Sequence, residues 1–192
     1  MIASLLSQAV SLLLWVAALG VAWWAIGRRR QLPVALRLPG FVATLPLAFI
    51  LRGLLGEASF ALPVMAWYAA SETVPTREAR RLLVVIVASA SALYASALGF
   101  LHTDVYAIGY GPSFGLAVVA AAVLAAYCWM PALGWCWLLG LALYAARLHP
   151  SPNIWDTFID LPAVLLATYV LIRAAAPRRL RAPADGGAAG CS

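Results

Sequence analysis

Two stretches of this chain carry side chains able to do chemistry. The first is His102-Thr103-Asp104-Val105-Tyr106, followed by Gly109-Tyr110-Gly111-Pro112. The second is Asn153-Ile154-Trp155-Asp156, with Asp160 four positions later and Pro162 just beyond it. A carboxylate in such a link can accept a proton, hold a cation or bind a sugar hydroxyl. Two carboxylates on different links are what acid/base work on a sugar or a phosphate requires. Asp104, Asp156 and Asp160 are therefore the candidate catalytic residues. His102, Tyr106, Tyr110, Arg147, Asn153 and Trp155 surround them in sequence as candidate binding groups, the aromatic rings serving as stacking walls.

Each of these residues also has a plain structural reading. Asp104 can satisfy loop amides, and the tyrosines can anchor at lipid headgroups. Asn153 suits a helix N-cap, and Asp156 suits the first turn, where negative charge meets the helix dipole. Asp160, spaced four from Asp156, is expected on the same helix face. Pro162 cannot bond back to the carbonyl of Phe158, so a carboxylate would sit beside an open carbonyl there. The bland alternative for Asp160 is a salt bridge to Arg147 or Arg52.

Arg52 and Glu57 complete the set of candidate binding residues. Arginine's planar fork suits a phosphate, whereas an ion pair between the two, or snorkelling of Arg52, needs no ligand. No metal is expected: the two histidines stand alone in separate links, and the three cysteines have no ligand spacing. Neither a nucleotide loop nor a nucleophile elbow is present, and no cofactor is expected.

The elements that position these residues belong to a membrane. Of 192 residues, 65% are hydrophobic and 10% charged, against about 25% charged in an ordinary soluble domain. The mean hydropathy is +0.92. Too few charges exist to clothe so much apolar surface in water. The net charge of +6 does not point to nucleic acid, because the arginines cluster at the ends of apolar runs.

Those runs fall at 2–26, 40–55, 58–70, 82–101, 113–129, 135–146 and 158–175. Several are long enough for the roughly 20 residues that a bilayer needs. Trp23-Trp24 followed by Arg28-Arg29-Arg30 reads as an aromatic belt and a cytoplasmic anchor. The runs at 40–55 and 58–70 read as a hairpin with Arg52 and Glu57 at its outer end, and Pro63 lies inside the second. Thr76 is a plausible N-cap, 130–134 a tight cytoplasmic turn, and Trp129, Trp135 and Trp137 an interfacial belt. All 13 basic residues are arginine, and this arrangement places every one except Arg52 and Arg147 on one side.

The expectation is an all-α, polytopic membrane helix bundle of about seven transmembrane helices, N-terminus outside and C-terminus cytoplasmic. Residues 1–176 form one transmembrane domain and 177–192 a disordered cytoplasmic tail. A bacterial-type inner membrane is the expected location. The polar residues then gather at the outer face, where they would bind or modify a phospholipid or polyprenyl headgroup or its saccharide. A non-catalytic accessory subunit, packed against other membrane protein subunits through Ala/Ser/Gly-rich helices, is the alternative. A small solute transporter ranks third, because few ionisable residues fall in mid-bilayer.

Overall fold

A chain this apolar must satisfy its backbone within each segment, and the α-helix does so. The computed structural model of the chain describes residues 2–111, 114–149 and 151–176. It contains α1 (Ile2–Arg29), α2 (Val34–Leu55), α3 (Leu62–Ser71), α4 (Arg77–Ala97), a 3-10 turn (Ala107–Tyr110), α5 (Phe114–Trp129), α6 (Pro131–Ala145), α7 (Ile154–Phe158) and α8 (Leu161–Ala175). No strand occurs among the described residues. Parts of α1, α2 and α4 are long and apolar enough to cross a membrane, and α5, α6 and α8 are shorter apolar helices.

Small residues set the closest approaches. The Gly20 and Gly40 positions let the Phe41 and Trp23 rings sit between α1 and α2, and Trp23 Nε1 donates to the Arg37 carbonyl at 2.9 Å. Helix α3 packs along both α1 and α8. The α3–α8 pair is parallel: the amide of Ser59, just before α3, donates to the Asp160 carboxylate at the head of α8. Near the other end, the Arg173 guanidinium donates to the Ala69 and Tyr68 carbonyls, each at 2.8 Å. Helix α4 packs against α8 and α5. In α6, Gly134 meets the backbone of Tyr127 in α5, where a side chain would not fit.

The bundle therefore has two unlike ends. One gathers the last turns of α1, α3 and α8 with the first turn of α4: Arg29 pairs with Glu72 at 2.6 Å, and Arg77, Arg80 and Arg81 lie beside Leu171 and Ala175. The other gathers the link between α2 and α3, the link after α4 with its 3-10 turn, and α7.

Several expectations need correction. Helix α2 begins at Val34 and runs through Pro39 and Pro46, so Arg37 and Pro39 lie inside it rather than before it. Pro63 is no interruption: it occupies the first turn of α3, where its missing N–H has no helical partner to lose. The runs at 40–55 and 58–70 are separate helices, as the hairpin expectation requires, divided by Gly56 at φ 83°, a left-handed value that glycine adopts without cost. The tight turn at 130–134 shrinks to Met130, because Pro131 already opens α6. Trp137 is buried at 2% exposure and donates to the Phe158 carbonyl at 3.1 Å. It belongs to the core rather than to a belt with Trp129 and Trp135. The stretch from Ile154 to Ala175 is two helices rather than one. Ile159 and Asp160 are extended, so Asp156 and Asp160 share no helix face. The disordered-tail expectation for 177–192 lies outside the described residues.

Candidate functional site

Helix α7 is five residues long, too short to hold itself, and side chains tie it down. Asn153 caps it, its Oδ1 accepting from the Trp155 amide at 3.0 Å. Asn153 Nδ2 donates to the Tyr106 carbonyl at 3.1 Å, which joins α7 to the 3-10 turn. Tyr106 Oη donates to Asp156 at 2.7 Å, and Ser151 Oγ donates to the other oxygen of the same carboxylate at 2.6 Å. Gly109 makes this clamp possible, because a Cβ there would strike Asn153 Oδ1 and the Trp155 ring. Burial, aided by the hydrogen bond to Asp156, pushes the Tyr106 phenol above its ordinary range.

Asp104 stands on the other side of this turn. Its Oδ1 accepts from the Ala107 amide at 2.9 Å, and Ser96 Oγ at the end of α4 lies 3.4 Å away. Ser96 Oγ in turn donates to the Thr103 carbonyl at 3.0 Å and accepts from the Val105 amide at 2.7 Å. His102 and Tyr110 are exposed, and Tyr110 stacks edge-on to Tyr106 at 6.1 Å.

Asp160 answers a different need. Helices α3 and α8 start inside the bundle, leaving amides without helical partners. Asp160, 8% exposed, accepts from the Ala163 amide of α8 at 2.6 Å and from the amide of Ser59. One carboxylate thus caps α8 and fixes the lead-in to α3. The Phe60 amide donates to the Thr157 carbonyl at 3.0 Å, closing the same junction. The Phe158 carbonyl, expected to be open beside Pro162, is taken by Trp137. Neither Arg147 nor Arg52 forms an ion pair with Asp160.

Arg52 and Glu57 pair at 3.1 Å across the end of α2. The pair leaves Arg52 Nε and Glu57 Oε2 buried with no hydrogen-bond partner among the described residues. Four other side chains at this end share that condition: Ser59 at Oγ, His149 at Nε2, Trp155 at Nε1 and Thr157 at Oγ1. Burial pulls the His149 imidazole below its usual value, against the opposing pull of the Ser151 backbone and of Asp156 and Glu57; its Nδ1 accepts from the Ser151 amide at 3.2 Å. The described residues hold no cluster of three ligands that could bind a metal ion.

Below the Arg52–Glu57 pair an apolar cleft of about 550 Å³ runs between α1, α3 and α8, walled by Trp15, Ala22, Leu62, Ala66, Leu161 and Leu165. Its upper corner is Leu55, one turn beyond Arg52. There Trp15 Nε1 donates to the Gly56 carbonyl at 3.0 Å, and Ser11 Oγ accepts from the Ala58 amide at 3.3 Å.

The structure brings Tyr106, Asn153, Trp155 and Asp156 into one clamp, with Asp104 at the foot of the adjoining turn. Asp160 lies at the α3–α8 junction, and Arg52 with Glu57 at the corner of the cleft. Arg147, exposed, lines a separate hollow with His149 and Tyr144. Sequence reasoning missed Ser11, Ser59, Ser96, Ser151 and Thr157. Their only signal was a hydroxyl in an apolar setting, which membrane helices also use for packing. No known protein family, no curated protein and no solved structure matches the chain.

Proposed function

We propose that this chain is an integral protein of a bacterial-type inner membrane, with seven spans, the N-terminus outside and the C-terminus inside. It binds a membrane-borne lipid carrying a phosphate headgroup, a phospholipid or a polyprenyl phosphate, at its outer end. The observation that carries this reading is the apolar cleft between α1, α3 and α8, which ends beneath a cation with unused hydrogen-bonding capacity. The cleft has hydrocarbon walls, and Leu55 is one of them. Arg52 Nε and Glu57 Oε2, on either side of Leu55 in the chain, are buried and unpartnered. A buried polar atom without a partner is costly, and a headgroup would relieve both.

The acyl or prenyl chain lies along Trp15, Ala66 and Leu165. The Arg52 guanidinium takes the phosphate, and Glu57 receives a hydroxyl of the headgroup. Tyr106, Tyr110, Trp155, His102, Asn153 and Arg147 form the wall of polar links above. Asp104, Asp156 and Asp160 hold those links in place through the hydrogen bonds described. The clustering of Arg28, Arg29, Arg77, Arg80, Arg81 and Arg173 at the opposite end supports the orientation.

Mass spectrometry of lipids retained by the purified full-length protein tests the reading. Wild type should retain phosphate-bearing lipids, and Arg52→Gln and Leu165→Trp should each lose most of them. Leu165 is 61% exposed, so tryptophan there fills the cleft without disturbing the core. Full retention by Arg52→Gln would overturn the headgroup assignment. Thiol labelling of His102→Cys from outside intact cells, with Thr73→Cys silent until permeabilisation, tests the orientation; the reverse pattern would overturn it.

A further inference from the structure

The arginines at the far end of the bundle are not equivalent. Arg28, Arg29 and Arg173 occupy the last turns of α1 and α8, where the negative end of the helix dipole favours a cation. Arg29 is further matched by Glu72, and Arg173 by the Tyr68 and Ala69 carbonyls. Arg77, Arg80 and Arg81 instead open α4, at the positive end of a dipole, where cations are disfavoured. Thr76 caps the helix by accepting from the Ala79 amide at 3.1 Å, and Glu78 is the acid of that turn. No ion pair joins Arg77, Arg80 or Arg81 to a carboxylate among the described residues.

Spacings of three and four place Arg77, Arg81, Val84 and Val85 along one stripe of α4. With Arg80, that stripe lines a cleft of about 750 Å³ whose far wall is Leu171 and Ala175 of α8. Val84 and Val85 are 54% and 57% exposed. The cleft thus has three cations at its mouth and hydrocarbon along its floor.

We propose that this cleft is a binding site for an anionic phospholipid of the bilayer, its phosphate held by Arg77, Arg80 and Arg81 and one acyl chain lying on Val84, Val85 and Leu171. Charge complementarity selects this occupant. A phosphodiester supplies the missing negative charge at the head of α4 and matches the arginine forks. Basic pockets between helices at a membrane surface bind such headgroups. The chain's own continuation after α8 carries Arg178, Arg179 and Arg181 against Asp185; it is itself basic and draws anions rather than neutralising the cleft. A second copy docked symmetrically would oppose arginine with arginine. Nucleic acid would leave the apolar floor uncovered.

Native mass spectrometry of the delipidated full-length protein, titrated with phosphatidylglycerol or with phosphatidylcholine of the same chains, tests the site. Wild type should bind phosphatidylglycerol in preference, and replacing Arg77, Arg80 and Arg81 together by glutamine should weaken it about tenfold or more, leaving phosphatidylcholine unchanged. Leu171→Trp, which keeps every charge, should also weaken phosphatidylglycerol by closing the floor, and it decides the matter if the triple variant does not fold. Equal binding of both lipids by wild type, or unchanged phosphatidylglycerol binding by Leu171→Trp, would overturn the proposal. So would displacement of the lipid by an equal concentration of glycerol phosphate, which would show that the headgroup alone is recognised.

Discussion

The two ends of this bundle handle polarity in opposite ways. At the arginine end, charges are numerous and mostly exposed. At the opposite end, charges are few and the polar groups are buried: Asn153 and Thr157 have no exposure, and His149 and Asp160 have under a tenth. The difference follows from where the helices stop. Helices α1, α3 and α8 run out to the arginine end, where the Arg173 side chain takes the Tyr68 and Ala69 carbonyls in the last turn of α3. At the other end α3 and α8 begin inside the bundle, and α7 is a single short piece, so backbone amides there need side-chain acceptors. Exposed charge contributes little to folding, whereas an unsatisfied buried amide costs much. The end with fewer charges should therefore be the more fragile.

Asp160 gives the sharpest test. Asp160→Ala removes the acceptor for both the Ser59 and Ala163 amides and should cost about 3 kcal/mol, read as thermal unfolding of the purified protein; Asp160→Asn, which keeps one acceptor, should cost about half of that. A loss below about 0.5 kcal/mol for Asp160→Ala, the size expected of a surface change, would break the comparison. Gly109→Ala comes next. Its new methyl group would push Asn153 and Trp155 out of the clamp, at about 2 kcal/mol, and proteolysis within 147–153 should quicken.

Tyr106→Phe deletes one hydrogen bond to Asp156 and should cost about 1 kcal/mol near neutral pH. Because the folded state raises the Tyr106 phenol above its unfolded value, its contribution is fully present below about pH 10 and falls away as pH rises further. Tyr106→Phe should flatten that alkaline loss in a pH series of melting curves. His149 has the opposite sign. Its folded value is lowered, so its stabilising effect is present above about pH 6.5 and declines as pH falls below it; His149→Asn should remove that acid sensitivity. The smallest effect belongs to the arginine end: Arg29→Gln breaks an exposed pair with Glu72 and should change stability by no more than about 0.5 kcal/mol.

What could be read in the sequence was local. Thr76 and Asn153 cap helices as their types and positions suggest, and both bonds span two or three residues. The Arg52–Glu57 pair, five residues apart, was equally legible. The break at Ile159–Asp160 was not, because four-residue spacing and apolar composition favour one continuous helix. Pro162 in the first turn of α8 is the local signal for a break, and the Asp160 carboxylate that the break frees is taken by the amide of Ser59, 101 positions away. Trp137 was read as interfacial for the same reason: its partner, the Phe158 carbonyl, lies on another element.

Composition alone determined that the chain folds as helices with apolar exteriors, since no other backbone arrangement satisfies itself segment by segment among hydrocarbon. Residue order added that arginine collects beside the ends of apolar runs. Tertiary structure alone decided which carboxylates became caps, which hydroxyls were buried, and where hydrocarbon clefts meet cations. Those outcomes depend on hydrogen bonds and contacts between residues distant in the chain, and a one-dimensional pattern carries no record of which distant partner an amide or a guanidinium will find.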